Sequence, residues 1–372
     1  MSAKLSPLFI SSEIYRDTGY GSNHPLAIQR VGAVLDLCDA LGWFEQAPYT
    51  QSQVATEDEL LKFHNADYLA ALRQADQEGR ASPEVRRRYG LGTRENPVFN
   101  GMFERSATSV GGSIQAARLA MEGRTVFHPS GGTHHGMPDR AHGFCYFNDP
   151  VFAVLTFLEE GAERVLYLDL DAHHGDGVQH AFLGDEQVRT LSIHEENRWP
   201  NSGLLEDRGR GYAFNLPVSR LFNDSELAFV SSHLIGPLLE SFAPEAVVVC
   251  CGADGLSGDP LSAMELSNAG LWDAVAAVTG SLPAVVLGGG GYNPWTTSRC
   301  WTYFWGKIAG FEIPETLPEP ACARLVQMEC DLVDDEDVEP AWLNKLEDER
   351  NTGHVRECLV QRVEHLAARV MR

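Results

Sequence analysis

The sequence predicts an α/β protein with a central, mostly parallel sheet flanked by helices on both faces. Two observations carry that expectation. Short, continuous apolar runs alternate with longer helical stretches, the order that lays helices over both faces of a parallel sheet. Five of the runs also end in clusters of histidine, aspartate and glycine, at the strand ends where open α/β sheets bind their ligands.

The strands are expected at 7–11 (PLFIS), 124–128 (RTVFH), 164–170 (RVLYLDL), 188–194 (VRTLSIH), 245–251 (EAVVVCC) and 283–288 (PAVVLG). Their unbroken apolar character suits strands covered on both faces. Helices are expected at 24–41, 57–78, 104–122, 150–160, 225–241, 262–280 and 295–309. The stretch 312–340, rich in proline and acids, reads as an exposed loop, with a charged helix near 341–371. No internal repeat or low-complexity segment appears.

Composition narrows the function. With 44% hydrophobic residues in 372, there is enough apolar material for a sizeable core. A formal net charge of −23 disfavours nucleic acid and anionic membranes as partners. The N-terminus lacks a leader pattern and no apolar stretch reaches membrane-span length. The eight cysteines are scattered, without CxxC pairs, which argues against a disulfide framework. The expectation is a soluble, reduced, cytoplasmic protein.

After the apolar run 165–168, Asp169 to Asp176 packs three aspartates and two histidines into eight positions. Buried carboxylates are costly unless a cation compensates them. In an extended segment residues i and i+2 point the same way, so Asp169, Asp171 and His173 share one side. A metal could collect two of them, and Asp254, just past the 245–251 run, is the natural third ligand. Two carboxylates and an imidazole suit Zn2+, with Fe2+, Co2+ or Mn2+ also open, and leave positions for water and substrate. A single aspartate here would read as a helix cap; the combination does not.

HPSGGTHHG sets His134 and His135 side by side in a glycine-rich loop. Such a histidine can take and return a proton near neutral pH, given a carboxylate to fix its tautomer. Asp169 and Asp176 are available for that task. GGGGYNP follows the last run and can carry Tyr292 into the site, where its hydroxyl would donate to a developing oxyanion. The spacing of a phosphate-binding loop is missing there. Phe144 in GFCYFN and Trp199 in RWPNSG offer two aromatic walls for a narrow slot, with ordinary core packing as the alternative.

The ordered set HPSGGTHHG, GFCYFN, DLDAHHGDGVQ, LSIH, GADGLSGDP and GGGGYNPWTTSRCWTY resembles the histone deacetylase superfamily. That group includes acetylpolyamine amidohydrolases and bacterial acetoin-utilisation proteins, and its fold is the arginase–deacetylase fold. The resemblance covers about residues 8 to 310. It implies one deacetylase-type catalytic domain over 1–372, with 311–372 as a C-terminal acidic loop and helix. It implies a zinc-dependent amidohydrolase in which Asp171, His173 and Asp254 bind the metal. His135 would be the base, backed by Asp176, and His134 its electrostatic partner, backed by Asp169. Tyr292 would polarise the scissile carbonyl. Gly143, Phe144 and Trp199 would line the tunnel, with Leu261 near its rim. A structural K+ or Na+ would sit at Asp169, Asp171, His173, Ser192 and Ile193, and a second would use Phe182, Val188 and Tyr212.

Two departures from the family pattern stand out. The rim stretch YGLGTRENPVF offers Glu95 where relatives carry an aspartate that grips the substrate backbone. HEENRWPNSG sets Glu195 and Glu196 near the mouth, either to favour a cationic substrate or as a solvated charged face. The function expected is deacylation of acetyl-lysine or an acetylpolyamine, with another small or xenobiotic N-acyl amide as the alternative. An arginase-like reaction fits a one-metal site poorly. A non-catalytic relative would have lost a ligand or Tyr292, and neither is lost. A homo-oligomer is open.

Overall fold

The computed structural model describes residues 5–17, 19–280 and 282–370. Its sheet contains eight strands: β1 (Leu8–Ser11), β2 (Thr50–Gln51), β3 (Thr125–His128), β4 (Val165–Asp169), β5 (Val188–Glu195), β6 (Ala213–Val218), β7 (Ala246–Cys250) and β8 (Ala284–Leu287). The order is β2-β1-β3-β8-β7-β4-β5-β6, and every pair is parallel. All six expected strands are present. β2 and β6 were not expected.

The strands read as apolar runs because both faces are covered. Leu166 and Leu168 of β4 pack on one side with Val247, Val249 and Val286. Val165 and Tyr167 pack on the other with Val248 and Val285. Side chains alternate between faces along a strand, so two separate cores form. Helices Val31–Ala40, Asn268–Thr279, Pro294–Ala309 and Glu357–Val370 close the first core. Helices Met102–Ala120 and Asp149–Glu159 close the second. Each fully buried Val or Leu contributes roughly 1.5–3 kcal/mol.

Several expected helices are shorter or broken. The 24–41 stretch yields a single turn at Pro25–Ala27 and a helix at Val31–Ala40. The 57–78 stretch divides into Glu57–Leu60 and Ala66–Glu78, and 262–280 narrows to Asn268–Thr279. The 225–241 helix runs through a π turn at Ser231–Ile235.

The C-terminal segment differs more. Residues 312–340 do not form an exposed loop: Glu319–Val326 is a helix, and Leu317, Ala321, Leu325 and Val333 are buried in the first core. The helix expected over 341–371 is confined to Glu357–Val370. The link before it is pinned by Arg299, whose guanidinium donates to Lys345 O at 2.6 Å and Asp348 Oδ1 at 2.6 Å. No helix among the described residues is long and apolar enough to cross a membrane.

Candidate active site

The site lies past the carboxyl ends of β3, β4, β7 and β8. β4 and β7 pair in register, with Asp169 opposite Cys250, so the segments that follow carry Asp171, His173 and Asp254 to one place. All three are buried, and one ligand atom from each lies within 4.8 Å of the others. His173 Nδ1 is 2.8 Å from Asp254 Oδ2 and 3.2 Å from Asp171 Oδ1. Backbone N–H groups aim the carboxylates: Gly290 N–H donates to Asp171 Oδ2 at 2.6 Å and Ala172 N–H to Asp254 Oδ1 at 2.9 Å. The glycine run 288–291 therefore does more than present Tyr292. A Cβ on Gly290 would fall 2.0 Å from Asp254 Oδ2, so only glycine permits this approach.

The charges of this cluster fit a divalent cation. Burial, then the neighbouring Asp171 charge, pushes the Asp254 carboxyl up to about 6. Burial opposes protonation of His173, yet Asp171 and Asp254 outweigh it and raise its pKa to about 10. Two buried carboxylates thus gather around one imidazole nitrogen, and oxygen–oxygen–nitrogen donors suit zinc or a similar metal.

The two neighbouring histidines are each backed by a carboxylate. His134 Nδ1 donates to Asp169 Oδ2 at 2.8 Å, and His135 Nδ1 to Asp176 Oδ1 at 2.7 Å. Tyr167 O–H also donates to Asp169 Oδ2, at 2.7 Å. The two rings lie 3.9 Å apart, centre to centre. Their protonation differs. Burial works against a charged His134, but Asp169 and Asp171 prevail and lift its pKa to about 9. Burial and the charge of His134 push His135 down to about 3. His135 is thus a neutral ring with its proton on Nδ1 and a free lone pair on Nε2.

A pocket of about 430 Å³ opens onto these groups. His135, His173 and Tyr292 lie at its polar end, and Gly143, Phe144, Trp199 and Leu261 line its walls. Gly143 and Phe144 both have left-handed backbones, at φ 57° and 66°. A Cβ on Gly143 would meet Trp199 at 2.4 Å and His135 at 2.6 Å. Tyr292 lies 6.3 Å from His173 and 6.0 Å from Phe144 between ring centres. Burial, then Asp254, raises its hydroxyl pKa well above the ordinary value, so it remains a donor. Asn293 then caps the helix Pro294–Ala309 by accepting from Trp295 N–H and Thr296 N–H, which fixes where the chain turns after Tyr292.

Some expected residues serve otherwise. Glu195 and Glu196 do not form an acidic rim. Glu195 is 4% exposed and held by Arg198 at 2.6 and 2.8 Å. Glu196 pairs with Arg362 of the C-terminal helix at 2.7 Å. Glu95 does line the pocket, but its Oε1 accepts from Gly143 N–H at 2.7 Å. Ser192 stands opposite Asp169 in the sheet, with its hydroxyl 2.9 Å from His194 Nδ1; Ile193 follows it in the core. Phe182 and Val188 are buried in the second core, and Tyr212 O accepts from Thr190 N–H at 3.3 Å.

Three further residues went unassigned in the sequence. Asp259, inside GADGLSGDP, accepts from Tyr292 N–H at 2.7 Å and Leu261 N–H at 2.9 Å. Arg30 donates to Gly289 O at 2.8 Å. His142 stands one residue before GFCYFN. Of these, Asp259 had a signal: a second aspartate in a motif already placed at a strand end.

Fold and site together define an α/β protein that gathers a cluster able to hold a metal and two histidine–carboxylate pairs at one end of a parallel sheet. Residues 24–308 match the family model described as histone deacetylase domain, and the chain belongs to the histone deacetylase family. Histone deacetylase 1 of Homo sapiens is 36% identical over 309 residues, covering 80% of this chain but only 64% of its own length. Histone deacetylase 8 of Xenopus tropicalis is 33% identical over 328 residues, covering 86% of this chain and 88% of itself. The acetoin utilization protein AcuC of Bacillus subtilis (strain 168) is 32% identical over 327 residues, covering 84% of each. Among solved structures, a histone deacetylase homolog from Aquifex aeolicus superposes with a TM-score of 0.92 at 36% identity, covering 98% of this chain and 100% of that one. A histone deacetylase homolog complexed with SAHA gives the same values. The expected arginase–deacetylase fold is the fold observed.

Proposed function

We propose that this protein is a zinc-dependent amidohydrolase that deacylates an N-acetylated amine, acetyl-lysine or an acetylpolyamine. The observation that carries the reading is geometric: His134 Nδ1 lies 2.8 Å from Asp169 and His135 Nδ1 2.7 Å from Asp176, both beside the cluster Asp171, His173 and Asp254 that could hold a metal. When bound by Asp171, His173 and Asp254, the metal would supply Lewis acidity toward the amide carbonyl and acidify water.

The chain's own residues do the rest. Phe144, Trp199 and Leu261 guide the alkyl chain of the amine so that its acetyl group reaches the polar end of the pocket, and exclude bulk water. His135 Nε2 takes the proton of the attacking water while Asp176 steadies the growing imidazolium. Tyr292 O–H donates to the oxygen on which negative charge develops, and Asp259 holds Tyr292 by its backbone. His134 adds positive charge beside the reacting centre. As the C–N bond breaks, the proton on His135 passes to the leaving amine, and acetate and free amine result. A K+ or Na+ near Asp169, Asp171, His173, Ser192 and Ile193 would brace these loops. A second, at Phe182, Val188 and Tyr212, would brace the start of β5.

Because Glu195 and Glu196 are both paired to arginines, the mouth gives no acidic argument for a polyamine. The test is acetate release by the zinc-loaded protein from an acetyl-lysine peptide, acetylputrescine and acetylspermidine. Release from any of them that is abolished in Asp171→Ala supports the reading. No release from all three, with release from another N-acyl amide, would move the substrate to that class.

A further inference from the structure

Asp176 serves two histidines, not one. Its Oδ1 accepts from His135 Nδ1 at 2.7 Å and from Gly177 N–H at 2.9 Å. Its Oδ2 lies 3.3 Å from His142 Nδ1. That nitrogen is itself buried and makes no hydrogen bond of good geometry, to Asp176 or to any other described residue. The rest of the His142 side chain reaches solvent, at 26% exposure. Its ring lies 4.8 Å from Trp199, which in turn lies 4.7 Å from His135. The turn that carries it is rigid: His142 N–H donates to Cys145 O at 3.0 Å, and Cys145 N–H returns to His142 O at 2.9 Å. His142 therefore spans from Trp199, which lines the pocket, to the carboxylate that orients the base.

We propose that His142 is a positioning residue that acts through Asp176: its charge state sets how firmly His135 holds a proton. The inference rests on the reading of His135 as the base. When His142 is protonated it draws on Asp176 Oδ2, so the carboxylate supports the His135 imidazolium less. His135 then stays neutral, and able to act as a base, to lower pH. The titratable groups around His142 are few. Asp176 faces it from the helix Asp176–Ala181 and His135 from the glycine-rich loop. Cys145 shares its turn, and Glu95 reaches that turn through Gly143 N–H. Trp199 adds no charge. Among the described residues the other pair has no second histidine: Asp169 is fully buried and accepts from Tyr167, His134 and a backbone N–H.

The test is the pH profile of kcat/KM for acetate release from an acetyl-lysine peptide, in wild type, His142→Ala and His142→Asn. Asparagine keeps an N–H toward Asp176 but cannot titrate, so it serves if the alanine variant does not fold. Either variant should move the acid limb to higher pH by at least about half a unit, a loss of about threefold on that limb. Adding His142→Ala to Asp176→Asn should move it no further. An unchanged midpoint, with or without a uniform loss of rate, would overturn the proposal. Imidazole 15N titration of His135 in the zinc-loaded protein reads the same midpoint without turnover, and the same outcomes apply. His135→Ala is run alongside: full activity there would remove the base assignment itself, whatever the His142 variants do.

Discussion

The two histidine–aspartate pairs are built from the same residue types and lie side by side, yet their surroundings make them opposites. His134 and Asp169 are sealed in the protein, with Asp171 Oδ1 3.8 Å from the second ring nitrogen, and two carboxylates keep the ring charged. His135 lines the pocket and Asp176 also faces His142; one carboxylate does not offset burial and a cationic neighbour, and the ring stays neutral. Position in the field of the site, not residue type, sets the two rings apart.

The strongest way to break this comparison is to remove each histidine in turn. His135→Ala should cost about 10³-fold in kcat/KM, as loss of a general base does. His134→Ala should cost clearly less, because it removes charge but no proton acceptor. Equal losses, measured in steady-state assays on one substrate, would mean the two rings share a single role. Next, Tyr292→Phe should lower kcat by about 10²-fold while inhibitor affinity, measured by calorimetry, stays within a few fold. Unchanged turnover would remove Tyr292 from the chemistry.

Smaller effects sharpen the comparison from outside. His64 supports the loop that carries both histidines: its Nε2 accepts from Asn148 N–H at 3.2 Å, and Asn148 Nδ2 donates to His134 O at 3.0 Å and Gly136 O at 2.9 Å. Burial pushes the His64 pKa down to about 3, against about 6.5 in an unfolded chain. The folded state therefore resists protonation that the unfolded state accepts, so this contribution is full above about pH 6.5 and is lost as pH falls toward about 3. Thermal unfolding midpoints should drop over that window, and His64→Gln should flatten the slope. Lastly, Asp348→Ala strands the buried Arg299 guanidinium and should cost about 3 kcal/mol of stability. The ratio of the His135 and His134 effects should not change in that background.

Much of this was legible in the sequence, for a physical reason. Strands covered on both faces must be continuously apolar, and charged clusters at their ends stand out against them. That exposed β3, β4, β5, β7 and β8 together with the residues they carry. β6 was hidden because AFNLPV contains asparagine and proline; it lies at the sheet edge, where proline is tolerated. The C-terminal segment was misread because its acids outnumber the spaced apolar residues Leu317, Ala321 and Leu325 that bury it. Glu195 and Glu196 were misread because charge counted along a chain omits partners in space. Arg198 stood three residues away, but Arg362 reaches Glu196 only across the folded protein.

The sheet order has a consequence in time. Its middle pairs β3 with β8 and β7 with both β8 and β4, so β3 and β4 each gain a neighbour that comes late in the chain. A growing chain on the ribosome carries Asp171 and His173 long before Asp254, and Asp254 before the glycines that brace it. Capture of a metal by these three residues would therefore be a late event in the life of a new molecule. Until β7 and β8 dock, Asp171 and His173 lack the third donor, Asp254, and the Gly290 N–H that aims Asp171.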